Sequence, residues 1–484
     1  MTTTSFCTKT AFGVGQVAEG VKSASFNYFL LFYYTQVLGL AGTLTGLALF
    51  IATTFDAITD PLAGSYSDRF RHRWGRRHPF MYASALPLGL TFVLLFRPPG
   101  GIGEQALFLW LTCFAVAVRG SMTLYHVPHM ALGAELSRDY SERTTIAAFR
   151  TFFGLAGIAS VLAFGWLWFF RSTPEYVSGQ LNPDAYPAFG LAFGALMTVT
   201  VLLSAIGTHD RIPSLPKAPA DAPRLRVSDV AEDYAGALSN PSFRVFFCGI
   251  VVFFVMRGVQ ESLYVHMVTY FWRLEQQQIL TLALLAVPGL LLGVPFWTAV
   301  SRKLDKRPAF LAGVAGFSLC VLLPPIAQLL GWFPSSEGPL YMGALALAGT
   351  LAAFCAAAGI VMAGSMMADV ADEHELTTGR RQEGIFFGAL AFAGKSTSGL
   401  GVFLGGVGID LIHFPQHVLP EDVSAEAVTS LGVLYGPGIM VFAVVALAFL
   451  SRYRIDRARH AEIALELERR RGTLAPPADL DLLP

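Results

Sequence analysis

Asp56 and Asp60 stand four residues apart in the run Phe55-Asp56-Ala57-Ile58-Thr59-Asp60-Pro61, within a long stretch that carries no other charge. Four residues is about one helical turn, so the two carboxylates share a face. In a low-dielectric setting two such groups do not both stay ionised without compensation. Either a cation sits between them or one keeps a proton. Thr59 adds an oxygen on the same turn, and a hard cation such as Na⁺ takes several oxygens. The competing reading is that Asp60 caps a helix broken at Pro61 while Asp56 pairs with a basic residue.

Lys395 is the lone charge in GIFFGALAFAGKSTSGLG. It lies too deep in the apolar run to reach water along its stem and needs an anionic partner. Asp56 or Asp60 is the expected one. Glu19 and Lys22 are three apart, and Arg257 and Glu261 four apart, so each pair either closes on itself or faces a substrate. Arg150 opens the fifth apolar segment and is expected at a central cavity or a gate. Arg119, midway along the fourth, has no partner that spacing identifies. His126-Val127-Pro128-His129 invites a metal reading, but no third ligand lies near in sequence. With a helix break expected at Pro128, cavity-lining polar groups are the preferred reading of both histidines. His266 joins the same list. Nucleophile elbow, phosphate loop and HExxH are all missing, which leaves an embedded enzyme as a remote alternative.

These groups need a scaffold that lives in lipid. Of 484 residues, 54% are hydrophobic and only 14% charged, against about 25% charged in soluble domains. Uncharged runs such as Pro79–Phe96, Thr151–Phe170, Ile279–Ser301 and Ala427–Leu450 recur along the chain. Each is long enough to cross a ~30 Å hydrocarbon core as a helix. Twelve spans are expected, near 11–38, 42–66, 79–97, 104–134, 146–170, 186–208, 241–272, 278–301, 307–333, 338–369, 383–412 and 427–453. The fold class is therefore an all-α membrane protein of two six-helix bundles, 1–208 and 241–453. A Pro- and Ala-rich linker (209–240) and a charged tail (454–484) complete the chain.

The formal net charge is zero, yet basic residues collect in alternate loops. Arg69, Arg71, Arg73, Arg76 and Arg77 follow the second span, Arg138 and Arg143 the fourth, and Lys217, Arg224 and Arg226 lie in the linker. Arg302, Lys303, Lys306 and Arg307, then Arg380 and Arg381, and finally the arginine-rich tail continue the series. The intervening loops hold little beyond Arg97, Arg171 and Arg273. The positive-inside rule makes the basic set cytoplasmic and puts both termini inside. Charges dealt out loop by loop do not make a nucleic-acid surface, so no such partner is expected. Cys7, Cys113, Cys248, Cys320 and Cys355 share no metal-ligand spacing. No cleavable signal is expected in the first ten residues.

The two halves echo each other: Gly64-Ser-Tyr-Ser-Asp68-Arg69 precedes an arginine-rich turn, as Ser301-Arg302-Lys303-Leu304-Asp305-Lys306-Arg307 does later. Asp68 and the Arg69–Arg77 loop, Arg69 and Arg76 foremost, with the Ser301–Arg307 loop, are the expected cytoplasmic latch between the halves.

FYYTQVLGL (32–40), FDAITDPLAGSYSDRFRHRWGRRHPF (55–80), VPHMALGAEL (127–136), AAFRTFFGLAG (147–157) and SMMADVADEHELTTGRRQEGIFFGALAFAGK (365–395) together resemble the glycoside-pentoside-hexuronide:cation symporters. That family is the melibiose-permease-like branch of the major facilitators, and the similarity spans nearly the whole chain. It implies secondary active transport by alternating access in a bacterial inner membrane, as a monomer, with Na⁺ or H⁺ as coupling ion and no cofactor. The implied cation site is Asp56, Thr59, Asp60 and Thr123, with Lys395 as the coupling lysine and Arg150 as a sugar contact. The family's two sugar-binding acids fall on Gly20, beside Glu19, and on His126; its stacking tryptophan falls on Met130. Glu19, Lys22, His126, His129, Arg150 and Glu261 are the substrate candidates that remain. The carboxyl end (GKSTSGLGVFLGGVGIDL, then RYRIDRARH) also resembles the sodium-dependent lysophospholipid symporters. A glycoside is the first expected substrate and a lysophospholipid or other amphiphile the alternative.

Overall fold

A computed structural model describes residues 4–137, 139–215, 236–336, 338, 340–379 and 383–470. The greater part of the linker (216–235), the end of the tail (471–484), and Arg138, Arg380 and Arg381 lie outside the described residues.

The described residues form helices and connecting turns, with no strand among them. In lipid every backbone N–H and C=O has to be satisfied within its own segment, and a helix does this. Among the described residues eleven helices are long and apolar enough to cross a membrane. They are the second to the twelfth spans of the chain: Gly42–Arg69, His78–Leu95, Glu104–Glu135, Glu142–Phe169, Ala185–Gly207, Pro241–Ser262, Gln276–Leu304, Lys306–Leu329, Leu340–Thr378, Gly384–Leu411 and Ala425–Leu450. The first span packs among them but is cut into short pieces. α-Helical Phe6–Val14, Gln16–Ala24 and Leu30–Phe32 alternate with π turns at Ser25–Phe29 and Tyr33–Val37. Ser5, Asp139, Asn240 and Ser424 cap four helices, each side chain accepting from the backbone N–H three residues on.

The break expected at Pro128 does not occur, nor does the one at Pro61 on which the competing reading of Asp60 relied. Pro61 sits inside Gly42–Arg69 and Pro128 inside Glu104–Glu135, both continuous helices. Neighbouring helices supply the support that an isolated proline-bearing helix lacks.

The second span packs on the fourth and the third on both fourth and sixth, while the first lies against the fifth and sixth. The later spans pack eighth on tenth, ninth on tenth, and seventh on eleventh and twelfth. The second and eleventh spans join the two sets closely. A Cβ added to Gly406 of the eleventh would stand 2.1 Å from the Gly42 carbonyl oxygen of the second. Small residues let helices approach this closely where lipid gives no hydrophobic drive for association. The tail forms a helix, Arg457–Arg470, that buries Ile463 and Leu467.

Candidate cation and substrate site

The second, fourth and eleventh spans bring the predicted cation-site residues together. Thr123 Oγ1 stands 2.8 Å from Asp56 Oδ1 and 2.9 Å from Asp60 Oδ1, and 3.5 Å from Thr59 Oγ1. Thr59 itself donates back to the Phe55 carbonyl at 2.9 Å. One hydroxyl thus faces two carboxylates with one proton to donate, and negative charge dominates the oxygens around it.

Lys395 comes from the eleventh span to this cluster. Its ammonium is in direct contact with Asp60 Oδ2 and lies 3.5 Å from Asp56 Oδ2. The contact joins one half of the chain to the other. A partner that sequence could not supply also appears: Arg119 Nη1 reaches Asp56 Oδ2 at 3.1 Å. Asp56 is 2% exposed, whereas Asp60 is 21% and Lys395 33%. One acid is sealed in and the other is open to exchange.

The substrate candidates divide. Glu19 accepts from Lys22 at 2.7 Å and from Ser23 at 3.1 Å, but its Oε2 is buried without a partner. His126 Nε2 lies 3.3 Å from Gln16 Nε2, and Gln16 Oε1 is likewise buried and unpaired. Arg150 points Nη1 at Met130 Sδ, 2.9 Å away. Glu261 contacts Arg257 on its own helix and accepts from Asn27 of the first span at 3.0 Å.

His129 and His266 are corrections. His129 is fully buried, bonds the Phe12 carbonyl at 2.8 Å and stacks 4.3 Å from the Phe12 ring. The continuous helix at Pro128 turns it into packing between spans. His266 is also fully buried, 3.3 Å from Thr35 and edge-on to Phe32. Among the described residues no group of three His, Cys, Asp or Glu side chains is placed to hold a metal.

Gly20 explains the missing family acid. A Cβ there would lie 2.2 Å from the Gly154 carbonyl oxygen, where the first and fifth spans cross. No larger residue fits without separating the helices.

The expected latch residues of the first half form a cluster among themselves. Arg77 is its centre, donating to Ser67 Oγ at 2.7 Å, Asp68 Oδ1 at 2.5 Å and Glu135 Oε1 at 2.8 Å. Arg76 joins Glu135 at 2.8 Å. All these residues belong to the second to fourth spans and the turn between. In the later half Lys306 holds Asp369 at 2.7 Å, and Asp305 Oδ2 accepts from the Arg457 N–H of the tail helix at 2.8 Å. In this structure these ties lie within each half. Glu135 was missed because it lies 58 residues from Arg77 and no spacing rule links them.

The halves meet instead at the opposite end. Asp410 of the eleventh span accepts from the Gly42 and Thr43 N–H groups at 2.8 and 2.7 Å, capping the second span. Tyr270 donates to Gln36 at 3.0 Å and Gln180 to Thr269 at 2.9 Å.

Over residues 11–457 the chain matches the family described as MFS/sugar transport protein. It is 24% identical to a sphingosine-1-phosphate transporter of Xenopus tropicalis, over 97% of this chain and 93% of the relative. It is 23% identical to an isoprimeverose transporter of Lactiplantibacillus pentosus, over 89% of this chain and 84% of the relative. A crystal structure of the nucleoside transporter NupG superposes with a TM-score of 0.62 at 12% identity, covering 92% of this chain and 99% of that one. With relatives and structural neighbours all transporters, the enzyme alternative falls away. The chain belongs to the MFS/sugar transport protein family of multi-pass membrane transporters and has the major facilitator fold.

Proposed function

We propose that the chain is a Na⁺-coupled symporter that works by alternating access, with H⁺ as the other candidate ion. The observation that carries this is the Lys395–Asp60 contact, an exchangeable ammonium resting on the carboxylate cluster and bridging the halves. A cation that enters among Asp56, Thr59, Asp60 and Thr123 competes with that ammonium, so ion binding and a contact between halves become one event. Residues 1–208 and 241–453 act as the two moving bodies, joined by the 209–240 linker. With the basic loops cytoplasmic, both termini lie inside, in a bacterial inner membrane, and the monomer is the working unit. The ties at the far end then describe the state open to the cytoplasm.

For the substrate we take a sugar or glycoside. Glu19 Oε2 and Gln16 Oε1 are buried acceptors without donors, beside His126, and ligand hydroxyls would satisfy them. A second reading has its own support. Glu19 with Lys22 and Glu261 with Arg257 close on themselves, and Met130 occupies Arg150, which suits an amphiphile with an apolar body. A thermal-shift panel of sugars, glycosides and lysolipids, with and without Na⁺, separates the two. A ligand at 100 times its Kd stabilises by about 2.7 kcal/mol. Stabilisation by sugars that grows with Na⁺ is the expected result. A response to lysolipid alone, below its micelle threshold, refutes the sugar, and uptake into vesicles that follows pH and ignores Na⁺ refutes the ion.

A further inference from the structure

Arg119 is a buried cation that the proposed cycle does not yet use. Its guanidinium lies 4.9 Å from the centre of the Phe26 ring, its Nε is buried without a partner, and Asp56 at 3.1 Å is its acid. Two carboxylates therefore face Arg119 and Lys395, while Lys22, the third base near Asp56, is held by Glu19 at 2.7 Å. The bases differ in kind: the guanidinium is a delocalised cation on a side chain only 10% exposed, while the lysine ammonium ends a flexible, one-third exposed stem.

Resting on the symport reading above, we infer that Arg119 is a resident counter-ion for Asp56, which leaves Asp60 as the single exchangeable charge of the site. Binding then swaps one monovalent cation for the Lys395 ammonium on Asp60. Asp56 still offers Oδ1 as a neutralised oxygen ligand beside Thr123. A second cation finds no free charge, and a divalent ion would leave the site positive. Arg119 is a positioning residue here, since it acts through Asp56 and does not touch the ion.

The test uses full-length protein in detergent, followed by thermal shift while Na⁺ or Li⁺ replaces choline at constant ionic strength, with a parallel pH titration. The series is read in whichever cation the wild type answers. Wild type should saturate with a Hill coefficient of about 1. Asp56→Asn alone strands the guanidinium beside the site and should raise the half-saturating concentration by about ten-fold or more. Asp56→Asn with Arg119→Gln restores neutrality and keeps the oxygen, so it should recover to within about three-fold of wild type. Arg119→Lys should also retain the response. Asp60→Asn should be flat in either background.

A double variant that folds by size exclusion yet stays as weak as Asp56→Asn overturns the inference, as does a wild-type Hill coefficient of about 2. If Arg119→Gln alone does not fold, the double variant still decides between the two outcomes. A wild type that ignores Na⁺, Li⁺ and pH refutes the symport reading itself, and that outcome is visible before any variant is made.

Discussion

Asp410→Asn should open the end of the molecule that is closed in this structure. The carboxylate spans the two halves and receives the first two N–H groups of the second span, at 2.8 and 2.7 Å. Asparagine keeps one acceptor and turns an NH₂ group toward the other N–H. One charge-assisted bond is lost, which is worth about 1.5–3 kcal/mol. The favourable interaction with the helix N-terminus goes too, about 0.3–1 kcal/mol. Together, a loss of about 2–4 kcal/mol shifts the balance between closed and open ends by roughly 30- to 900-fold. The assay is a spin-label distance distribution between cysteines placed at Val177 and Glu421, on either side of that end. The five native cysteines are all free and would first be replaced. Asp410→Asn should add a longer-distance population, and Asp410→Glu should add less of it. An unchanged distribution at full occupancy of both labels would show that the cap does not hold the halves together.

Three further outcomes follow from the packing and the charges. Arg77→Ala leaves Glu135 and Asp68 without their main partner and should destabilise the protein by about 3–5 kcal/mol, read as a lower melting temperature and lower yield; wild-type melting would refute the hub. Gly20→Glu, which restores the family's acid, should fail to accumulate as folded monomer, because its Cβ meets the Gly154 carbonyl at 2.2 Å; a well-folded, sugar-responsive Gly20→Glu variant would sink the steric account. Lys395→Met should bind the coupling ion at lower concentration than wild type, since no tethered ammonium competes, while losing uphill transport; weaker ion binding with normal accumulation would refute the exchange.

The sequence carried the cation cluster for a physical reason. Asp56, Thr59 and Asp60 lie within one helical turn, and a charge in an apolar run has few places to go, so Lys395 pointed at them before any fold was known. Arg119 carried the same signal of burial, but Asp56 lies 63 residues away on another helix, and a partner at that separation leaves no trace in spacing. The π turns of the first span went unseen because a one-residue widening of the helix hardly alters a run that is apolar on nearly every side. Pro128 misled in the opposite direction. Proline breaks an isolated helix in water, but inside a bundle the helix continues, and His129 followed it into the core. The Arg77–Glu135 and Asp305–Arg457 ties were legible only as clusters of loop charge, without their partners.

The second and eleventh spans carry two ties on the same pair of helices: the Asp410 cap at the start of the second span and the Lys395–Asp60 contact farther along it. Asp60 is 18 residues beyond Gly42, so the ties are about 27 Å apart at 1.5 Å per residue. Helices packed glycine to glycine at Gly42 and Gly406 transmit a tilt better than a slide, because neither backbone has side-chain cushioning to absorb it. On the proposed cycle, releasing Lys395 removes the tie at one end of this lever while the cap still holds the other. Ion binding by itself then loosens the pair without separating it, and the substrate has to supply the rest. That division is what coupling demands: a transporter that opened on the ion alone would leak it. The two single variants should therefore not be equivalent. Asp410→Asn should let the far end open in the absence of the ion and raise uncoupled Na⁺ flux in proteoliposomes, whereas Lys395→Met, with the cap intact, should not. Equal Na⁺ leak from both variants would refute the separation of roles.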